Sequence, residues 1–203
     1  MKFNMKIKIL SSSVVVIMFM LMYGWFNHDS VFYWSKAAGQ ERIIKKIADY
    51  MVKEDATISE DELKNAATMI YKASGQYNLD YRLILAIMKI ESNFKHDAVS
   101  SKGARGLLQV KPSHAKYIAR DIGIVWHGPK TLDEPDKNIK IGIHFFSELM
   151  GDFDNINMAL HAYNMGPTRL REIMPEKSRL EKGFSKLVLR EYRKNMIILP
   201  DPK

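Results

Sequence analysis

No cysteine occurs in the 203 residues. That excludes disulfides, a thiol nucleophile, thiolate metal sites and a lipid anchor on a lipobox cysteine. The six histidines, His28, His96, His114, His127, His144 and His161, fall at no metal-ligand spacing, and there is no H-E-x-x-H. No metal site is expected. Internal repeats, low-complexity tracts and strand-rich regions are also missing. The formal net charge is +8, yet no nucleic-acid motif accompanies it. Charge alone fits an anionic membrane surface or an anionic polymer equally well, and nucleic acid is not an expected partner.

What is present begins with a terminal apolar run. Lys2, Lys6 and Lys8 precede an unbroken stretch from Ile9 to Phe26 that contains no charge. Its length of about 18 residues is near the minimum that spans a bilayer. The lysines on its near side predict a cytoplasmic N-terminus and an exported domain, with Tyr23, Trp25 and Phe26 at the outer interface. A cleaved signal peptide is the competing reading, but the small-x-small triplet Ser35-Lys36-Ala37 lies far beyond the run, behind Phe32, Tyr33 and Trp34. Residues 1–36 therefore read as a membrane anchor with a juxtamembrane linker, and 37–203 as one domain.

That domain reads as mainly α-helical. Ile43, Ile44, Ile47, Tyr50 and Met51 form a helical stripe running through Val52. Ser59 and Glu62 fit a capping box for a helix with Leu63, Ala66, Ala67 and Ile70 on one side, ending around Gly75. Residues 95–111 lose the helical period and allow a short β-hairpin near 95–110, with Gly103 and Gly106 permitting tight turns or close approach to a ligand. Pro112 opens a short helix with Ala115 and Ile118 inward, and 121–137 is loop-rich. Ile139, Ile143, Phe146 and Met150 mark a core helix that Gly151 can end. Asn155 can cap the next helix, Pro167 starts another that Pro175 ends, and a last one, about 182–196, carries Phe184, Leu187, Val188 and Tyr192.

The chain is organised around Asp80–Gln109. Ile84, Ile87 and Glu91 share one helix face at spacings of three and four, widened by Leu83 and Met88. An apolar stripe that ends in a carboxylate carries Glu91 toward the core, where ionisation is costly. The helix C-terminus disfavours negative charge as well. Both effects raise the pKa and suit a general acid near neutral pH. A boundary glutamate that snorkels or pairs with a lysine satisfies the same pattern.

Three ordered motifs follow. E-S-N-F starts at Glu91, Ser100 precedes G-A-R-G-L-L-Q ending at Gln109, and A-Y-N-M-G-P spans Ala162–Pro167. Together they resemble the lytic transglycosylases of the soluble Slt type over about residues 75–195. Leu132, Pro135, Asn138, Ile139 and Gly142 resemble a further pattern of that family, L-x-x-P-x-x-N-I-x-x-G. The resemblance implies a lysozyme-like helical fold. It also implies cleavage, without water, of the β-1,4 bond between N-acetylmuramic acid and N-acetylglucosamine, leaving 1,6-anhydromuramic ends. Peptidoglycan glycan strands are then the substrate. No cofactor is required, the domain faces the periplasm from the bacterial inner membrane, and envelope or secretion machinery is a candidate partner.

By the same resemblance Glu91 is the catalytic acid and then base. Ser100 and Gln109 match positions that contact the sugar or that carboxylate. Tyr163 and Asn164 line the cleft, with Tyr163 placed to bond Glu91. Gly103 and Gly106 serve shape. Leu108 stands where Met is common, Met165 where Ala is common, and Phe184 where the family often has Tyr. Two other readings compete. A muramidase of the same fold would use Asp97 or another acid to guide water. An inactive peptidoglycan-binding scaffold could serve an envelope machine.

Overall fold

The computed structural model describes residues 36–153, 155–173 and 183–202. Two compact units divide the chain at Arg42 and Ile43. The first is described only over 36–42, which are helical; the second, Ile43–Lys203, contains the core. The expected anchor at Ile9–Phe26 lies outside the described residues. Among the described residues no helix is long and apolar enough to cross a membrane.

Helix α1 covers 36–53 and buries Ile43, Ile44, Ile47, Tyr50 and Met51, while Val52 is exposed. Helix α2 (Glu60–Gln76) buries Ala66, Ala67, Ile70 and Ala73. Its Ser59 N-cap makes no side-chain bond to the backbone and instead donates to the Glu62 carboxylate, a side-chain pair in place of the Ser59 half of the expected box. Helix α3 (Tyr81–Ser92) is buried continuously from Tyr81 to Met88, because neighbours cover it on several sides. Among these, α8 (Gly183–Ile198) and α2 pack against it. Each fully buried isoleucine or leucine there stabilises the fold by about 1.5–3 kcal/mol relative to exposure.

Helix α4 (Pro112–Asp121) opens at Pro112 as expected and buries Ala115 and Ile118. The loop-rich segment contains one 3-10 turn, Pro129–Asp133. Helix α5 (Pro135–Asp152) starts four residues ahead of its hydrophobic stripe, because Pro135 needs no amide donor in a first turn. It packs on α2, α4 and α6 (Ile156–Met165), and Asn155 caps α6 by accepting from the Met158 amide at 3.0 Å. Helix α7 (Pro167–Ile173) starts at Pro167; its expected stop at Pro175 lies outside the described residues.

The fold is mainly helical, and the short β-hairpin near 95–110 does not form. That segment holds only two isolated antiparallel bridges, Val99 with Arg105 and Arg105 with Val110. Left-handed Gly103, Gly106 and Gln109 bend the backbone too often for a ladder to propagate. In α8, Val188 is buried and Phe184 and Tyr192 are half-buried, but Leu187, expected inward, is exposed.

Candidate active site

Glu91 is the penultimate residue of α3. The helix stops because Asn93 and then Phe94 take positive φ, at 50° and 62°, and Phe94 turns inward to full burial. Ser92 fastens this end to the next loop. Its hydroxyl donates to the Leu107 carbonyl at 2.8 Å, closer than its own helix's Met88 carbonyl at 3.2 Å.

Leu107 and Leu108 are held from three helices at once. Ser92 of α3 takes the Leu107 carbonyl. Asn138 of α5 accepts from the Leu108 amide at 2.8 Å, and Tyr163 of α6 donates to the Leu108 carbonyl at 2.6 Å. Asn138 is wholly buried and spends its amide nitrogen on the Arg105 and Leu132 carbonyls, at 2.9 and 2.8 Å. Backbone approaches so closely there that a β-carbon on Gly106 would lie 2.1 Å from the Asn138 amide nitrogen and 2.3 Å from the Leu132 carbonyl. A β-carbon on Gly142 would lie 2.5 Å from the Leu108 side chain. Arg105 completes the clamp with a two-pronged pair to Asp133, at 2.8 and 2.6 Å.

These constraints deliver the expected site residues unequally. Glu91 is half-buried, and burial raises its pKa to about 7. No neighbouring charge contributes to that shift, and the nearby Lys89 pairs with Glu54 instead. Tyr163 is buried, and its phenol pKa is pushed well up by burial and then by the charge of Glu91, which puts the two side chains in each other's field. Its hydroxyl nevertheless goes to Leu108, not to Glu91. The expected Tyr163–Glu91 bond is therefore replaced by one that supports the loop carrying Gln109.

Gln109 adopts φ 46° and gives both amide hydrogens to the Ala98 and Gly106 carbonyls, at 3.0 and 2.9 Å. Its oxygen is the polar atom left for a ligand. Ser100 closes a turn, its hydroxyl oxygen accepting from the Ala104 amide at 3.0 Å while its proton stays available. Asn164 is exposed near the end of α6. Asp97 is exposed on the turn after α3. Among the described residues no group of His, Asp and Glu can hold a metal ion.

Sequence reasoning missed two features. Asn138 was visible only as part of a pattern, with no role attached. An aromatic ladder was not visible at all: exposed His114 stacks on Phe145 at 5.6 Å, and Phe145 meets Tyr163 at 5.4 Å. It leads from solvent to the group beside Glu91. The three rings lie on α4, α5 and α6, so no local spacing announces it.

Against known proteins, the family model described as the transglycosylase SLT domain matches residues 68–183. A Haemophilus influenzae protein, provisionally named a soluble lytic murein transglycosylase, is 30% identical over 161 residues, 78% of this chain and 25% of the relative. An inactive glutamate-to-glutamine mutant of the lytic transglycosylase Slt from Pseudomonas aeruginosa superposes with a TM-score of 0.56 at 26% identity, covering 66% of this chain and 25% of that one. The 70 kDa soluble lytic transglycosylase from Escherichia coli gives a TM-score of 0.61 over 80% of this chain and 31% of that one; at 20% identity this is a likeness of fold. The chain spans about a quarter to a third of the length of the first curated relatives it matches.

Proposed function

Because the chain belongs to the transglycosylase SLT domain family, we propose that it is a peptidoglycan lytic transglycosylase with Glu91 as its single catalytic carboxylate. The observation that carries this reading is the state of Glu91: a half-buried carboxyl at a helix end, pushed up to about 7 by burial alone. At neutral pH such a group holds a proton for about half the molecules and can both give and take one.

In the proposed reaction the Glu91 carboxyl donates its proton to the glycosidic oxygen between N-acetylmuramic acid and N-acetylglucosamine. The C1–O4 bond breaks and positive charge builds at the muramic C1. The Glu91 carboxylate then takes the proton of the muramic 6-hydroxyl as its oxygen bonds to C1. The product is a 1,6-anhydro end, and no water is consumed. Intramolecular attack is fast because the hydroxyl is already at high effective concentration. Ser100, the Gln109 oxygen and Asn164 supply polar contacts for the sugar, and Tyr163 holds the Leu108–Gln109 backbone.

A muramidase would need a second acid to guide water. Asp97, the candidate for it, is exposed, and no carboxylate among the described residues perturbs Glu91. The terminal apolar run and its lysines favour a single-pass anchor in a bacterial inner membrane with the domain in the periplasm. Mass spectrometry of products from purified sacculi tests the reaction. Anhydro ends from the native chain, and a yield from Glu91→Gln lower by roughly 10³-fold, are the expected result; ends heavier by one water would overturn it.

A further inference from the structure

The outward face of α8 joins a row of cations to exposed apolar residues. Lys186, Arg190, Arg193 and Ile197 repeat at spacings of four, three and four and so form one ridge, with Leu187, Lys194 and Ile198 beside it. All seven are exposed. At the end of the ridge Ile197 is 85% and Ile198 56% exposed, and Met196 a further 40%. Lys194 pairs with Glu191. Lys186, Arg190 and Arg193 have no acidic partner among the described residues.

Scattered exposed apolar residues need no explanation, but three in succession at the tip of a cationic ridge match the chemistry of an interfacial helix. A glycan strand would meet the cations through its peptide carboxylates yet offer the isoleucines only polar sugar. A second copy would set the same cations against one another. An anionic phospholipid surface satisfies both halves, phosphates for the ridge and acyl chains for the tip. We infer that α8 rests on anionic lipid through Lys186, Arg190, Arg193 and the Met196–Ile198 tip.

The packing of α8 ties this surface to the helix that carries Glu91. Its tip is pinned to the start of α3: Tyr192 donates to Asp80 at 2.9 Å, Asn195 to the Arg82 carbonyl at 3.0 Å, and Tyr81 to the Pro200 carbonyl. Glu91 sits at the other end of α3, about 15 Å along a helix that rises 1.5 Å per residue.

The native absence of cysteine makes the test clean. The 203-residue chain with Met196→Cys carries a single thiol, to be labelled with an environment-sensitive fluorophore, and Val125→Cys provides an exposed control in the loop after α4. Each is reconstituted in vesicles of phosphatidylglycerol or of phosphatidylcholine. The expected result is a blue shift at position 196 in phosphatidylglycerol alone, diminished by salt and abolished by Lys186→Glu, Arg190→Glu and Arg193→Glu together, with circular dichroism unchanged. Equal emission in the two lipids, a shift that survives charge reversal, one produced by sacculi instead of lipid, or one that depends on protein concentration would each overturn the inference. No readout requires turnover, so failure here is distinct from failure of the enzymatic reading.

Discussion

One helix carries a carboxylate at each end, and α3 treats them in opposite ways. Asp80 caps its start. Burial pushes that group up, but the Arg82 guanidinium, the Arg82 amide and the Tyr192 hydroxyl together hold it below the usual range. Glu91 at the other end meets burial with no compensating donor, and its pKa rises to about 7. The helix dipole favours the first charge and opposes the second. Asp80 is thus fixed as an anion that ties α3 to α8, whereas Glu91 is left able to change its protonation state. The contrast separates a carboxylate held as an anion by its donors from one left free to titrate near neutral pH.

Glu91→Gln should give the largest effect and test the proposed role of that end. Turnover on sacculi should fall roughly 10³-fold, the usual worth of a positioned acid-base group. Stability should move the other way. Glu91 titrates near 7 folded against an ordinary 4.5, so folding favours its protonated form. Below 4.5 both states hold the proton and nothing is lost; as pH rises through 7 the folded state is penalised. The variant should therefore be about 2 kcal/mol more stable than the native chain at pH 8.5, after allowing for partial exposure, and equal to it at pH 4. Urea midpoints at the two pH values check this.

Asp80→Asn should show the opposite sign. A carboxylate whose folded pKa lies below its ordinary 3.8 stabilises above that value and loses its contribution as pH falls through the folded one. Breaking a half-buried, hydrogen-bonded pair with Arg82 should cost roughly 2–3 kcal/mol between pH 5 and 8, and the deficit should shrink below pH 4. If both variants shifted stability the same way at pH 8.5, the two ends of α3 would not differ as described.

Third in size, Tyr163→Phe removes the donor to the Leu108 carbonyl and leaves that buried acceptor short of a partner. A loss of about 1–2 kcal/mol is expected. Because Gln109 follows Leu108 directly, turnover should fall on the order of 10-fold through misplacement of the loop. The pH profile of turnover should keep its shape while its height falls, which separates a positioning role for Tyr163 from a proton-transfer role.

The Glu91 end of α3 was more legible in the sequence than the Asp80 end. Glu91 terminates a local stripe, and local spacing predicts both its burial and the direction of its shift. Asp80 and Arg82 gave no such signal, since their partners Tyr192 and Asn195 lie 112 and 113 residues away. The same limit hid Asn138, whose carbonyl partners and loop amide come from two other segments. Helix starts at Pro112 and Pro167 and the Asn155 cap were readable because each rests on one residue's backbone chemistry. The hairpin near 95–110 failed because glycines that permit a turn do not reveal how many turns follow.

The smallest effect tests whether stability and site can be uncoupled. Asn155→Ala removes the α6 cap, its side chain accepting from Met158 at 3.0 Å on an exposed helix start, and should cost about 1 kcal/mol. Tyr163 lies two turns further along α6, held independently by Leu108 and by contacts with Phe145 and Phe146. Thermal denaturation should register the loss while the pH profile of turnover stays unchanged. A shifted profile would mean that the environment of Glu91 depends on the whole of α6 rather than on the clamp at Leu107–Leu108, and the contrast between the two ends of α3 would then be a property of the bundle.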